Sequence, residues 1–149
     1  MKRIILLSAF VVLVSVACNT VGDPMEFANA CKPENDKKYI EVSGVLTEQG
    51  RSVFCSNIGG GRLECGFDLL ESPGSEKKIR VDIAQGSGSN SVAKLESGYK
   101  KEDIKIRDNA GNPVALDADK VKVTGKISVV PPSGNNEGVC FLQIDKIEK

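Results

Sequence analysis

Between residues 120 and 127 apolar and polar positions alternate. Val121, Val123, Gly125 and Ile127 share one face, and Lys120, Lys122, Thr124 and Lys126 share the other. A period of two is the pattern of a strand with one face buried and one face in water. A Pro/Gly/Asn loop follows and residues 139–147 return, so the end of the chain predicts a half-buried antiparallel pair. The alternation recurs upstream. In residues 39–48, Ile40, Val42, Gly44 and Leu46 read inward against Tyr39, Glu41, Ser43, Val45 and Thr47, with a bend expected at Gly44. Residues 52–57 and 62–70 read as a hairpin about Gly59-Gly60-Gly61, with Val53, Cys55, Leu63, Cys65, Phe67 and Leu69 inward and Phe54 outward. Pro73-Gly74 fits the centre of a type II turn, and residues 77–84 give another strand, with Ile79, Val81 and Ile83 inward. After a Gly/Ser loop, Val92, Leu95 and Tyr99 are spaced for one face of a short helix capped by Asn90 or Ser91. Residues 104–107 and 114–116 predict a small ribbon around the Asp108 to Asn112 turn.

Strands, one short helix after the third main strand, then two more strands predict an all-β fold: a small Greek-key barrel. This order resembles the oligonucleotide/oligosaccharide-binding (OB) fold. More narrowly, a lipoprotein-type start, then Tyr39-Ile40-Glu41-Val42-Ser43-Gly44-Val45-Leu46, Val121-Lys122-Val123-Thr124-Gly125-Lys126 and Leu142-Gln143-Ile144-Asp145-Lys146-Ile147 resemble the tRNA-anticodon-binding-like OB family of small bacterial envelope proteins. The family name implies nucleic-acid binding by descent of fold, which by itself does not carry function.

Ahead of the barrel, Lys2 and Arg3 precede an apolar run that reaches Val16. The run is short for a bilayer span and lacks a second positive flank, so it reads as a cleaved targeting segment. Leu13-Val14-Ser15-Val16-Ala17-Cys18 resembles a bacterial lipoprotein signal, which implies a diacylglycerol thioether on Cys18 and Cys18 as the new N-terminus. Ser15 departs from that pattern, where leucine is usual. Ser15-Val16-Ala17 also fits an ordinary signal-peptidase site, which would release a soluble periplasmic or secreted chain. The lipoprotein reading is favoured because a cysteine at this boundary is otherwise unexplained. Asn19, in place of an inner-membrane-retaining Asp, implies an outer-membrane address facing the periplasm. The expected organisation is therefore a signal peptide over 1–17, a tether and lead-in over 18–38, and an OB-like barrel over 39–149.

Removing Cys18 from the five cysteines leaves Cys31, Cys55, Cys65 and Cys140, an even number in an oxidising compartment. Two disulfides are expected, against the alternative of buried free thiols. Of three possible connectivities, simple register about Gly60 sets Cys55 opposite Cys65, which leaves Cys31 with Cys140. Closing so long a loop is worth ~4 to 5 kcal/mol in the chain-entropy model.

Charge and residue types narrow the chemistry. The chain has 20 basic and 20 acidic residues; removing Lys2 and Arg3 leaves 18 against 20, a net charge of −2. That balance does not suit a polyanion. There is no histidine, so the commonest general base and zinc ligand are both missing, and no metal or cofactor is expected. Glu64 and Asp68 lie about 13 Å apart along one strand, too far to act on one bond, and read as solvated charges. The Gly/Ser stretch from Gln85 to Ser91 lacks the third glycine of a dinucleotide fingerprint. Arg51, Phe54, Arg62 and Arg80 form the candidate ligand surface. The expectation is a non-enzymatic binding module, held to a membrane through lipid on Cys18, with a glycan or an envelope protein favoured over nucleic acid. Its rivals are a nucleic-acid-binding OB protein and a structural or inhibitory protein that docks a periplasmic partner.

Overall fold

The computed structural model describes residues 21–50, 52–57, 61–134 and 138–149. Their elements in chain order are β1 (Asp23–Pro24), α1 (Phe27–Ala30), β2 (Tyr39–Glu48), β3 (Cys55–Asn57), β4 (Leu63–Leu70), β5 (Lys78–Ala84), β6 (Ser91–Val92), β7 (Ile106–Arg107), β8 (Pro113–Val114), β9 (Lys120–Val130) and β10 (Val139–Glu148). Single 3₁₀ turns lie at Pro33–Asn35 and Lys101–Asp103.

Five strands close a barrel in the order β2-β9-β10-β5-β4, and β4 pairs back onto β2. All neighbours are antiparallel except β5 and β10, which run parallel with Phe141 beside Arg80 and Gln143 beside Asp82. This is a Greek-key, OB-like barrel. The residues that alternate inward fill it: Ile40, Val42 and Leu46 from β2, Cys65, Phe67 and Leu69 from β4, Ile79, Val81 and Ile83 from β5, and their counterparts on β9 and β10 are all buried. Enclosing an aliphatic or aromatic side chain of this size stabilises a fold by roughly 1.5 to 3 kcal/mol each, which is the driving force for closure.

Two glycines allow the wall to bend. A Cβ on Gly44 would collide with the carbonyl oxygen of Leu70, and one on Gly125 would collide with that of Gln143. Just past Gly44 β2 passes from β9 to β4: Val42 faces Val123, Val45 pairs with both Lys120 and Leu70, and Leu46 faces Leu69. The crossing covers both faces of the strand, so Val45, read as outward in the alternation, is buried. After Gln49 the chain leaves the sheet and rejoins β4 as β3, with Cys55 directly opposite Cys65. The expected disulfides are present, Cys55–Cys65 and Cys31–Cys140. Glycines 59 and 60 of the hairpin turn lie outside the described residues. Leu63, expected inward, stands at the outer end of the hairpin and is exposed. The Pro73-Gly74 turn has the expected geometry, with Gly74 at φ +76° and Ser75 N–H donating to Ser72 O at 3.0 Å.

The helix expected over 92–99 does not form. Its apolar residues still face the core, but through a three-stranded ribbon, β6-β7-β8, and the irregular chain before Lys101. Val92, Ile106 and Val114 of the ribbon are buried against the barrel, and Tyr99 accepts a hydrogen bond on its hydroxyl from the Val53 N–H. Gly98 at φ +77° cannot continue a right-handed helix. The fold's one short helix among the described residues is instead α1 in the lead-in. Ala30 of α1 is fully buried, Cys31 is bonded to β10, and Asp36 accepts the Val129 N–H at 2.9 Å. The lead-in is thus part of the packed domain from Asp23, which pairs with Ile40.

Candidate functional site

Register decides what shares the outer wall of the barrel. Gly66, Asp82, Gln143 and Lys126 lie side by side across β4, β5, β10 and β9, and the next row is Asp68, Arg80, Phe141 and Ser128. Neighbours in a sheet point to one face, and the alternate residues of each strand fill the core, so both rows face outward. Between them and Glu64 lies a shallow groove of about 170 Å³, lined by Glu64, Asp82, Lys126, Ser128, Phe141 and Gln143.

Two outward carboxylates of β4 are unusually enclosed, Glu64 in the groove lining and Asp68 beside it. Glu64 is 5% exposed and Asp68 3%, although both were expected as solvated charges. The correction has a local cause. Gln49 lies over Gly66 and donates from Nε2 to the Phe67 carbonyl at 3.1 Å, and the wall continues on both sides of β4. The Gln49 amide, not a ring, covers Gly66. Glu64 Oε1 accepts from Gln143 Nε2 at 2.8 Å and lies 3.5 Å from Arg62 Nε, while Oε2 is buried with no partner. Lys78 Nζ sits 2.8 Å from Asp68 Oδ2, and Oδ1 is likewise unpartnered. Burial of Asp82, reinforced by the negative charge of Glu64, holds its pKa above the ordinary carboxylate range. The cations stand at the rim, with Arg62 and Lys78 both more than half exposed.

Of the residues singled out from the sequence, Arg51 lies outside the described residues. Phe54 is 74% exposed. Its carbonyl accepts the Gly66 N–H at 2.9 Å, which places it beyond β4 on the hairpin side and away from the groove. Arg62 borders the groove through Glu64. Arg80 lies 5.8 Å above the Phe141 ring centroid, within reach of a cation–π contact. The structure therefore brings Arg62 and Arg80 to the edges of one site and leaves Phe54 apart from it. Glu64, Asp82, Lys126, Ser128, Phe141 and Gln143 are the residues that sequence reasoning did not assemble. No local pattern signals the grouping; the parallel pairing of β5 with β10 sets Leu142 beside Val81 and so brings the two stretches together.

The Asp108 turn is different in kind. Asp108 accepts hydrogen bonds from Ala110 N–H, Asn112 N–H and Asn112 Nδ2 at 2.7 to 3.2 Å. Burial alone would raise its pKa, but bonds from Asn112, Ala110 and Gly111 outweigh it and the pKa is lowered. Among the described residues no three His, Cys, Asp or Glu side chains converge as metal ligands, and no helix is long and apolar enough to cross a membrane.

No family model matches the chain, and no curated protein matches it either.

Proposed function

We propose that this protein is a non-enzymatic binding module of the bacterial cell envelope, anchored by lipid on Cys18, whose outer-wall groove takes a saccharide. The observation that carries the reading is the mixture of groups in the groove. Two carboxylates and the Gln143 amide offer acceptors, Lys126 and Ser128 offer donors, and Phe141 offers a ring edge or face. Hydroxyls of a sugar both donate and accept, and orientation by a few placed polar groups beside an aromatic wall is how small-ligand sites achieve specificity. Phosphates fit poorly, because Glu64 and Asp82 would face them. The OB resemblance agrees with oligosaccharide binding as well as with nucleic-acid binding.

The anchor gives the module its address. Cys18 lies three residues before Val21, where the described chain begins, and three residues reach at most about 11 Å. A lipid on Cys18 would hold the barrel close against the membrane surface.

Two measurements test the reading. Intact mass of protein extracted from membranes is expected to show diacylglycerol on Cys18; an unmodified chain in the soluble fraction would remove the anchor. Titration of the protein with short glucosamine-based oligosaccharides is expected to shift the amide resonances of Lys126, Ser128, Phe141 and Gln143 and to leave the oligosaccharides intact by mass. Hydrolysed product would make the protein an enzyme. Binding of single-stranded DNA that collapses with added salt, without any response to saccharide, would favour the nucleic-acid reading instead.

A further inference from the structure

The groove holds more negative charge than its saccharide chemistry requires. Glu64 is more than nine-tenths buried and lines the groove, yet one of its two carboxylate oxygens has no hydrogen-bond partner. Its neighbours have been committed to the other oxygen: Gln143 donates to Oε1, and Arg62 approaches the same atom. Asp82 lies in the next strand, against the same space. A buried carboxylate with an unused oxygen costs free energy unless something completes it, and natural sites retain such a cost where a ligand supplies the missing donor.

Resting on the saccharide reading above, we infer that the groove recognises a free amino group on the sugar, with Glu64 and Asp82 as its anionic receptor. An ammonium between the two carboxylates neutralises their mutual repulsion and donates to both. Its N–H groups can be shared between Asp82 and the buried, unpartnered Oε2 of Glu64. Lys126 stands on the β9 side of the groove, where it repels a second cation and can donate to a ring hydroxyl. The site therefore fits one ammonium on a polyhydroxylated ring better than a run of basic groups. Size agrees: about 170 Å³ is well below the ~300 Å³ at which pockets for drug-sized ligands begin, and holds one ring. A peptide is the weaker candidate. Extended peptides bind by adding to a sheet edge, and this groove lies across the face of four paired strands.

The test compares two probes that differ only at the nitrogen, short oligomers of glucosamine and of N-acetylglucosamine, titrated into the intact detergent-extracted protein by calorimetry. Charge-assisted hydrogen bonds predict roughly ten- to hundredfold tighter binding of the free amine. Glu64→Gln and Asp82→Asn should each erase that preference, whereas Glu102→Gln, on the exposed turn away from the groove, should leave it unchanged. Because Asp82 is only half-buried, its variant keeps the test informative if Glu64→Gln fails to fold. Equal affinity for the two oligomers would overturn the amine inference and leave the saccharide reading standing. No binding of either would overturn both. A lysine peptide that binds as tightly as the glucosamine oligomer and competes with it would overturn the sugar assignment, since any organic cation would then suffice.

Discussion

On the inner face of β4, Cys65, Phe67 and Leu69 are fully enclosed among apolar neighbours. On the outer face of the same strand, Glu64 and Asp68 are almost as enclosed, yet each keeps a carboxylate oxygen without a partner. The inner burial removes hydrocarbon from water and stabilises the barrel. The outer burial removes charge from water and is compensated only in part. One strand therefore carries both a face that is optimised for folding and a face that is not, and on the proposed reading the second is where a ligand would add something. The Asp108 turn sharpens the contrast. It also encloses a carboxylate, but with every approach filled by Ala110 and Asn112, so its acidity is explained by the fold alone.

The largest difference between the two faces should appear on truncating the inner one. Phe67→Ala is expected to cost about 3 to 5 kcal/mol, from lost burial and the cavity left in the barrel. Urea unfolding followed by circular dichroism would measure it. A loss below about 1 kcal/mol would mean that the inner wall closes around the gap, and the contrast with the outer face would be weaker than the packing indicates.

Next in size is the bridge that fastens β3 to β4. Replacing Cys55 and Cys65 together by alanine opens a loop whose ends are 10 residues apart, expected to cost about 2 to 3 kcal/mol in the chain-entropy model. The same denaturation experiment reads it. Groove resonances that stay in place while stability falls would show that β3 holds the barrel and not the ligand face. Resonance changes at Gln143 or Lys126 would join the two regions that are separated here.

How much of this was legible in the sequence follows from the same contrast. The inner face was readable because a barrel interior imposes a period of two, and Phe67, Leu69, Ile79, Val81 and Ile83 obey it. The cross-strand disulfide was readable because Cys55 and Cys65 are equidistant from a glycine turn. The cap was misread as a helix because Val92, Leu95 and Tyr99 fit helical spacing, and three apolar side chains laid over a barrel mouth need no helix to reach it. The outer face was the least legible. Alternation labels Glu64 and Asp68 as outward and hence wet, and only tertiary contacts, such as Gln49 above Gly66, enclose them. The groove itself joins Glu64 to Gln143, 79 positions apart, through a parallel pairing that no local pattern announces.

A smaller effect, of opposite sign, is expected on the outer face. Glu64→Gln keeps the shape and an acceptor for Gln143 while removing a buried charge that its neighbours only partly compensate. Stability is expected to be unchanged or to rise by up to about 1 kcal/mol, as when incompletely paired buried charges are neutralised. A loss of several kcal/mol would place Glu64 with the optimised inner face and remove the argument that it waits for a ligand.

The subtlest prediction concerns pH and turns on Asp82. Its folded pKa is raised by burial and by Glu64, so between an unfolded value near ~3.9 and that raised value the folded state binds the extra proton. The associated stabilisation is fully present below the unfolded pKa and is lost as pH rises through the folded one. Asp108, Asp117, Asp119 and Glu148 have lowered values and act in the opposite sense, losing stability as pH falls. Those contributions are common to the wild type and Asp82→Asn and cancel in the difference between them. Asp82→Asn should therefore be the more stable protein at neutral pH, and its advantage should shrink as acid protonates Asp82 and disappear below the unfolded value. Denaturant midpoints of the two proteins across the acid range decide it. An advantage independent of pH would mean that the carboxylate of Asp82 is as comfortable as that of Asp108, and the β5 side of the groove would then be structure alone.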